Sequence, residues 1–343
     1  MPHESEADAS ADTGATAEDA DWQIFRGDGR RRAAAIPDAP PWRCFVTHQE
    51  NAEDAKSAGD PAAAASETTH HYVMSREDTD VVNAAIHLRR PLLVTGHPGT
   101  GKSSLAAAIA HELDLGPVLH WPVNSRSTLQ EALYRYDAIG RLQAGQLDGA
   151  GQDARRDIGL FLRLGPVGTA LVQAARPRVL LVDELDKGDV DLPNDLLTVF
   201  EEGRFEIPEL SRLPEEQSEV HVLTADPHRR AKVVRGMVQC TQFPVVVITS
   251  NGERDFPPAF RRRCVPLDLK DPDEPRLRAI IEGHLGPDAL AEADDLVTAF
   301  LQQRAEGELA TDQLLNAVFL RHGGARLAAD GLLRAVLHRL NAG

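Results

Sequence analysis

The sequence of 343 residues predicts an α/β fold, in which a parallel sheet carries helices on both faces, followed by a small all-α domain. Short, almost continuous apolar runs recur in the middle of the chain, and such strands are typically buried on both faces of a parallel sheet. One of these runs leads straight into a glycine-rich loop and then into a helical pattern. After Asp271 the apolar spacing is helical. These three observations together predict the fold class.

The individual elements follow from the spacing of apolar residues and from the turn residues between them. A first helix is expected at 77–88, and a second, directly after the glycine-rich loop, at 104–113. The strands are expected at 91–95, 118–123, 178–182, 244–249 and 265–269. The helices of the C-terminal domain are expected at 274–285, 289–304, 311–320 and 325–340.

The glycine-rich loop is the strongest functional signal. Residues 91–104 read PLLVTGHPGTGKSS, a G-x-x-x-x-G-K-S pattern between a predicted strand and a predicted helix. Its glycines allow the backbone to curl so that N–H groups point inward at phosphate oxygens, and the helix N-terminus adds partial positive charge. Lys102 is suited to the β- and γ-phosphates of a nucleotide, and the Ser103 hydroxyl to Mg²⁺. The predicted phosphate site comprises Gly96, His97, Pro98, Gly99, Thr100, Gly101, Lys102, Ser103 and Ser104.

An acidic pair follows another predicted strand. The run RVLLV at 178–182 ends in Asp183 and Glu184. Side chains at the carboxyl ends of parallel strands face the ligand crevice of such sheets. Asp183 is therefore expected to hold Mg²⁺, and Glu184 to orient and polarise an attacking water. Phosphoryl transfer asks a protein mainly for positioning and charge stabilisation, which two carboxylates beside a phosphate loop can supply.

Two further candidates lie downstream. Asn251 follows the strand predicted at 244–249, where it can hydrogen-bond a γ-phosphate or the attacking water. It can also be a simple turn residue, because Asn251-Gly252 is a favoured turn pair. An arginine cluster occupies 261–263. An arginine supplied across a subunit boundary can neutralise a transferring phosphoryl group, although most arginines in such clusters are surface residues.

The order of these motifs resembles the AAA+ ATPases, specifically their MoxR-like branch. The likeness covers residues 70 to 340 and is strongest in DELDKGDVDLPNDLLTVFEEGRFEIPEL at 183–210. It implies a P-loop NTPase core of the AAA+ type with a helical lid, ATP and Mg²⁺ as cofactors, and a hexameric ring with ATP sites between neighbours. It also implies that Asn251 is the polar sensor and that Arg263, with Arg262 as the next choice, is the arginine finger.

The chain departs from the common AAA+ core in three places. Two stretches are long, one between Lys102 and Asp183 and one at 203–244, so insertions are expected there, the first at 138–168. MoxR-like proteins resemble the chain in carrying a helix insertion and a hairpin at these places. A second sensor arginine is missing from the start of the matching lid helix at 309–315, which leaves Arg304 and Arg326 as distant candidates.

The N-terminal part divides by composition. Residues 1–20 are rich in Asp, Glu and Ala without Lys or Arg, which predicts a disordered acidic tail. Residues 21–68 are interpreted as an arm and linker, in which Trp22 and Trp42 dock onto a folded surface. The core is expected at 69–270 and the lid at 271–343. The arginines at 30–32 are interpreted as a solvated patch rather than as a nucleic-acid contact.

Composition limits the classes of partner and compartment. The formal charge of −16, from 37 basic and 53 acidic residues, disfavours a protein that binds nucleic acid with its general surface. Three widely spaced cysteines, Cys44, Cys240 and Cys264, indicate reduced thiols rather than a disulfide framework. Neither a signal peptide nor an apolar stretch of membrane-spanning length is found, so a cytoplasmic protein without a membrane partner is expected.

The leading functional hypothesis is an ATP-hydrolysing ring that remodels or activates an unidentified client protein in a chaperone-like manner. One alternative is a nucleotide-dependent switch or scaffold in a multi-protein, possibly defence-type, system, whose bound state signals to a partner. A nucleic-acid motor or restriction-type GTPase is the weaker alternative, because the chain lacks a basic–aromatic domain.

Overall fold

The structure, a computed structural model, describes residues 22–33, 35–43, 72, 74–147, 157–304 and 309–324. The acidic tail at 1–20, residues 44–68 of the arm and linker, and the helix predicted at 325–340 lie outside these residues. Across the described ranges, no helix has both the length and the apolar character needed to cross a membrane.

Strands and helices alternate along most of the chain. The strands are β1 (Leu92–Thr95), β2 (Leu119–Pro122), β3 (Tyr134–Tyr136), β4 (Leu162–Leu164), β5 (Val179–Asp183), β6 (Arg204–Glu206), β7 (Glu219–Leu223), β8 (Arg230–Val234), β9 (Met237–Gln239), β10 (Val245–Thr249) and β11 (Val265–Asp268). The α-helices are α1 (Arg76–Leu88), α2 (Lys102–Glu112), α3 (Leu129–Leu133), α4 (Ala138–Leu147), α5 (Pro166–Ala170), α6 (Leu192–Glu202), α7 (Pro208–Ser211), α8 (Pro258–Arg261), α9 (Glu274–Leu285), α10 (Pro287–Ala291), α11 (Asp294–Arg304) and α12 (Thr311–His322). Short 3-10 helices lie at Pro41–Arg43, Ile158–Phe161, Leu185–Lys187 and Glu215–Gln217.

The main sheet has five parallel strands in the order β11-β1-β10-β5-β2. All five were predicted from the sequence, and the predicted fold class is confirmed. Because parallel strands end at the same edge of a sheet, the segments that follow β1, β5 and β10 meet there. This arrangement brings the glycine-rich loop, the acidic pair and Asn251 to one side of the molecule.

The two faces of this sheet belong to different hydrophobic cores. Alternate residues of a strand point to opposite faces. Leu92 and Val94 pack with α1 and α2, while Leu93 packs on the opposite face with α5 and α6. Each fully buried Leu or Val contributes about 1.5–3 kcal/mol relative to exposure, so the sheet is held from both sides.

A second, six-stranded sheet has the order β3-β4-β7-β8-β9-β6. Its strands come from the two stretches predicted to be insertions and from the residues immediately before the first. The β7–β8 hairpin lies in the second stretch and pairs Glu219 with Val234. The sheet shares a hydrophobic core with one face of the main sheet, so the insertions are part of the folded body.

The C-terminal helices form a separate hydrophobic cluster around Leu277, Val297, Phe300 and Leu314. Helix α9 has the predicted limits, but the helix predicted at 289–304 is wrong as a single element. It is two helices, α10 and α11. Helix α11 begins at Asp294 and Asp295, whose carboxylates are favourable at the positive end of a new helix.

The N-terminal arm is anchored by a phenylalanine rather than by its tryptophans. Phe25 is fully buried against α1 and α2, whereas Trp42 is 74% exposed and Trp22 38% exposed. The predicted docking through Trp42 is therefore wrong. Trp22 packs its ring against His87 at 5.7 Å. The arm contains several aromatic residues, and the sequence alone does not tell which of them is buried in the core.

Buried polar groups fix the backbone of the arm. The Asn83 side chain accepts hydrogen bonds from the N–H groups of Ile24 and Phe25, both at 2.9 Å. The Glu112 carboxylate accepts from the N–H groups of Arg26 at 2.5 Å and Gly27 at 3.0 Å. Burial raises the pKa of Glu112 despite these hydrogen bonds.

The arginine patch of the arm makes ion pairs within the chain. Arg31 pairs with Asp114, and Arg32 pairs with both Asp28 and Glu112. Two of the three arginines at 30–32 therefore hold the arm against the core.

Candidate active site

The glycine-rich loop curls around its own lysine. Gly96, Gly99 and Gly101 have φ angles of 140°, 78° and 89°, a region that side chains other than glycine rarely adopt. The Lys102 ammonium lies inside the curl and donates to the carbonyl oxygens of Gly96 and His97, both at 2.8 Å. Burial lowers the pKa of Lys102, while nearby carboxylates act in the opposite direction.

Gly99 marks the place where the loop meets the lid. A Cβ atom at this position would lie 2.5 Å from the Cβ of Ala310, directly before α12. Real Cβ atoms do not approach so closely, so only glycine allows this packing. Tyr72 supports the loop from another side, because its hydroxyl donates to the Gly101 carbonyl oxygen at 3.1 Å.

Asp183 lies at the carboxyl end of β5, next to the start of α2. Its Oδ1 accepts hydrogen bonds from the hydroxyls of Ser103 and Thr249, both at 2.7 Å, and its Oδ2 lies 3.2 Å from His120 Nε2. Burial would raise the pKa of Asp183, but these three hydrogen bonds together lower it below its ordinary value. The carboxyl group is therefore ionised at neutral pH.

Glu184 is held in an unusual backbone conformation. Its φ and ψ of 57° and 50° lie in the left-handed region, which is uncommon for a residue with a side chain. Its N–H donates to the Thr249 hydroxyl oxygen at 2.8 Å. The carboxylate accepts from Asn251 Nδ2 at 3.1 Å and from Lys187 Nζ at 2.8 Å. Strained residues of this kind occur often at functional sites.

Asn251 is positioned by a buried carboxylate. Asp186 is 3% exposed, and its Oδ2 accepts from the N–H groups of Asn251 at 3.0 Å and Glu253 at 3.1 Å. These hydrogen bonds fix the segment after β10. From this position the Asn251 amide donates to the Glu184 carboxylate at the edge of the cavity.

A cavity of about 570 Å³ lies between these residues and the helical domain. Its volume is within the usual range for small-molecule sites. The core contributes Tyr72, Pro98, Gly99, Thr100, Gly101, Lys102, Ser103, Ser104, Asp183, Glu184, Thr249 and Asn251. The helical domain contributes Arg276, Ile280, His284, Ala310, Thr311, Asp312 and Leu315.

Most of the predicted phosphate site lines this cavity. Gly96 and His97 do not; their carbonyl oxygens receive Lys102, and the His97 ring lies 3.0 Å from the Asp271 carboxylate. Sequence reasoning missed Tyr72, Thr249 and the residues of the helical domain, because no local motif links them to the loop. The polar Thr249 at the end of an apolar strand was the one available signal.

The arginine cluster lies away from the cavity of its own chain. Arg263 Nε is 3.3 Å from Glu201 Oε1, and its Nη1 donates to the Ala259 carbonyl oxygen at 3.3 Å. Arg261 and Arg262 are exposed. The structure of one chain therefore does not bring Arg263 together with the glycine-rich loop.

The arginine that the helical domain directs into the cavity is Arg276, near the start of α9. Its Nε is buried and has no hydrogen-bond partner among the described residues. Arg304 instead lies over the Phe300 ring at 5.5 Å, and Arg326 is outside the described residues. Because Arg276 lines the cavity beside the phosphate-type loop, its guanidinium charge suits an anionic ligand.

Comparison with known families decides the classification. A family model described as the AAA domain of the dynein-related subfamily matches residues 91–264. The chain belongs to this family. The match contains the glycine-rich loop, the acidic pair, Asn251 and the arginine cluster. No curated protein matches the chain.

Membership in the AAA family has direct consequences for the site. AAA ATPases bind ATP, typically with Mg²⁺, and generally assemble into rings. The donor set agrees with Mg²⁺, because the Ser103 hydroxyl and the Asp183 carboxylate are hard oxygen ligands only 2.7 Å apart. The cavity also has an ammonium, a guanidinium and backbone N–H groups for phosphates.

Proposed function

We propose that this AAA protein binds ATP in the cavity between core and lid and hydrolyses it there. The observation that supports the proposal most is the hydrogen-bonded group in which Thr249 joins Asp183 to Glu184, beside a curled phosphate loop. Phosphoryl transfer depends mostly on positioning, and this group fixes the Asp183 carboxylate and the Glu184 backbone at defined places.

The residues have distinct roles in this proposal. The backbone of the loop from Gly96 to Gly101 cradles the phosphates, and Lys102 neutralises charge on the β- and γ-phosphates. Ser103 and Asp183 are the residues that would hold Mg²⁺, which supplies charge neutralisation to the phosphates when it is bound. Arg276 adds a cation from the lid side.

Glu184 is the proposed general base. Its carboxylate oxygens face Asn251 and Lys187, so both hydrogen bonds hold it in one orientation. Asn251 is thereby placed to orient either the carboxylate or a water that the carboxylate polarises. The ion pair with Lys187 is exposed, so water can replace it at little cost.

Arg263 is the proposed finger for a neighbouring subunit. It lies outside its own cavity, at the end of α8, and its ion pair with Glu201 is only half-buried. A ring in which the segment with Arg263 faces the cavity of the next chain would complete the site. The proposed ring is the hexamer of the MoxR-like branch, with a core at 69–270 and a lid at 271–343.

The biological role proposed for such a ring is chaperone-like remodelling or activation of a client protein. Support comes from the motif order and from the insertions, which build a second sheet onto the core. Buried free thiols at Cys240 and Cys264 are consistent with the reducing cytoplasm.

A trapping experiment tests this role. The Glu184→Gln chain should retain ATP and hold its client, because an amide cannot act as the base. Proteins that copurify with Glu184→Gln in the presence of ATP, but not with Lys102→Ala, are the expected clients. Identical sets of proteins from both variants would contradict an ATP-dependent interaction with a client.

A further inference from the structure

A second cavity, of about 680 Å³, lies beside the active site, between the end of β2 and the second sheet. Three arginines line it: Arg126 after β2, Arg135 on β3 and Arg163 on β4. All three side chains are exposed to solvent. Such a concentration of positive charge is notable in a chain whose formal net charge is −16.

Two of these arginines face each other directly. In the antiparallel pair of β3 and β4, Arg135 is the register partner of Arg163. Like charges in directly opposed positions destabilise a sheet. An anion between the two guanidinium groups would remove this repulsion.

The chain itself neutralises the three arginines incompletely. Glu131 is 3.8 Å from Arg135, an exposed pair four residues apart in sequence. Arg163 donates to the Thr224 carbonyl oxygen at 3.1 Å, which is a neutral acceptor. Neither Arg126 nor Arg163 forms an ion pair with a carboxylate in the described part of the chain. The cavity therefore keeps a positive excess.

We propose that this cavity, the arginine cavity, binds an acidic peptide segment of a partner protein. Guanidinium groups pair with carboxylates through two parallel hydrogen bonds, so three of them can receive successive acidic side chains. The cavity is bordered by β2 and β3, which are edge strands of their sheets. Edge strands are places where an extended peptide backbone can add.

Nucleic acid is the less suitable polyanion. Single strands are usually held by exposed aromatic rings on which bases stack, and the aromatic side chain in this cavity, Trp121, is 7% exposed.

The arginine cavity is connected to the proposed active site through one side chain. His120 lines the cavity, and its Nε2 lies 3.2 Å from Asp183 Oδ2. A peptide in the cavity would therefore touch a residue that contacts Asp183. The identification of the peptide as part of a client of the ring rests on the proposed function. The binding site itself does not depend on that function.

The test is binding of a fluorescein-labelled twelve-residue peptide of alternating Glu and Ser to the full chain without nucleotide, measured by anisotropy. The wild-type chain should bind it saturably and should not bind the same peptide with Gln in place of Glu. Arg163→Gln and Arg135→Gln should each weaken binding by about tenfold or more, because each removes a charge-assisted hydrogen bond. Arg204→Gln, an exposed arginine on β6 at the other end of the same sheet, should have no effect.

Several results would overturn the proposal. These are absence of saturable binding, equal losses in Arg163→Gln and Arg204→Gln, or tighter Arg163-dependent binding of oligo(dT) than of the peptide. Binding that occurs only after deletion of residues 1–20 would mean that the acidic N-terminal segment of the chain is the occupant, and the assignment to a partner would be wrong.

The outcomes for the two proposals can be separated. Lys102→Ala should bind the peptide as the wild type does, since the arginine cavity does not include the phosphate loop. Normal ATP hydrolysis without peptide binding would overturn only the arginine cavity. Peptide binding without any ATP hydrolysis would overturn only the proposed function.

Discussion

At the scale of single residues, Thr249 connects the two acidic residues of the candidate site. Its hydroxyl donates to Asp183 Oδ1 and accepts from the Glu184 N–H. It therefore links the Asp183 carboxylate to the Glu184 backbone and helps to hold Glu184 in its left-handed conformation. No motif around Thr249 predicts this role, because both partners lie on another strand.

Thr249→Val tests this role with almost no change in volume. The variant leaves the Glu184 N–H without an acceptor in a mostly buried place, so we expect a loss of about 1–3 kcal/mol in the free energy of unfolding. ATP hydrolysis should fall about tenfold, because Asp183 and Glu184 lose a shared contact and a rise of about 1.4 kcal/mol in the activation barrier is a factor of ten in rate. Thr249→Ser keeps the hydroxyl and should keep most of the activity. Equal activities of the two variants, measured by phosphate release, would contradict the role.

Local motifs in the sequence single out several candidate residues that the fold brings together. The loop from Pro98 to Ser104, together with Asp183, Glu184 and Asn251, lines one cavity. Their binding and catalytic roles stay predictions. His120 and Arg276 were not predicted, because each lies outside the sequence motifs and is brought to the site only by the folding of the chain. Contacts between segments far apart in sequence cannot be recognised from the spacing of residues within either segment.

At the scale of elements, the arm and the lid each have one contact with the core that a single substitution can test. The arm contributes Phe25 to the core of α1 and α2. The lid places Ala310 against Gly99.

Phe25→Ala should destabilise the protein by about 3–5 kcal/mol, as expected for truncation of a fully buried aromatic ring. Trp42→Ala should change the free energy of unfolding by at most about 0.5 kcal/mol, since that side chain is largely exposed. Denaturant unfolding of both variants provides the comparison. A larger effect at Trp42 than at Phe25 would mean that the arm docks differently.

Gly99→Ala should separate the lid from the phosphate loop. The added Cβ would meet Ala310 at 2.5 Å, in a residue whose φ is 78°. We expect weaker ATP binding, because the cavity is formed by both parts. Gly286→Ala is the matched control: its φ is 87° and nothing lies within 4 Å of the added Cβ. If the control weakens ATP binding equally, backbone strain rather than the contact with the lid is responsible.

Prediction of elements succeeded for long, strongly patterned segments. The five core strands and α9 were predicted because continuous apolar runs and helical spacing are local signals. The three-residue strands β3, β4, β6 and β9 are too short for such a signal. They are held by pairing between segments far apart in sequence, as in the β6–β9 pair of Arg204 with Gln239.

At the scale of the whole molecule, one chain is an incomplete enzyme if Arg263 acts in trans. ATP hydrolysis per chain should then rise with protein concentration as rings form. Arg263→Ala should still bind ATP but lose roughly 10³-fold or more of its activity, by analogy with other arginine fingers. Activity that is independent of concentration, at concentrations where assembly changes, would contradict a shared site.

Mixing two inactive variants gives a sharper test of the shared site. Lys102→Ala chains retain Arg263, and Arg263→Ala chains retain the phosphate loop. Some interfaces in mixed rings then combine an intact loop with an intact Arg263, so part of the activity should return. Stable mixed rings without recovery would mean that Arg263 acts within its own chain or that Arg261 or Arg262 is the finger.

ATP hydrolysis by wild-type and Glu184→Gln chains at saturating ATP, with nucleotide binding measured on the same samples, tests the assignment of Glu184. Both chains should bind ATP, and phosphate release by Glu184→Gln should fall by roughly 10²–10⁴-fold through loss of the general base. Lys102→Ala should instead lose ATP binding itself, because the cation inside the loop is removed. Phosphate release by Glu184→Gln at a rate near that of the wild type would contradict the assignment of the active site.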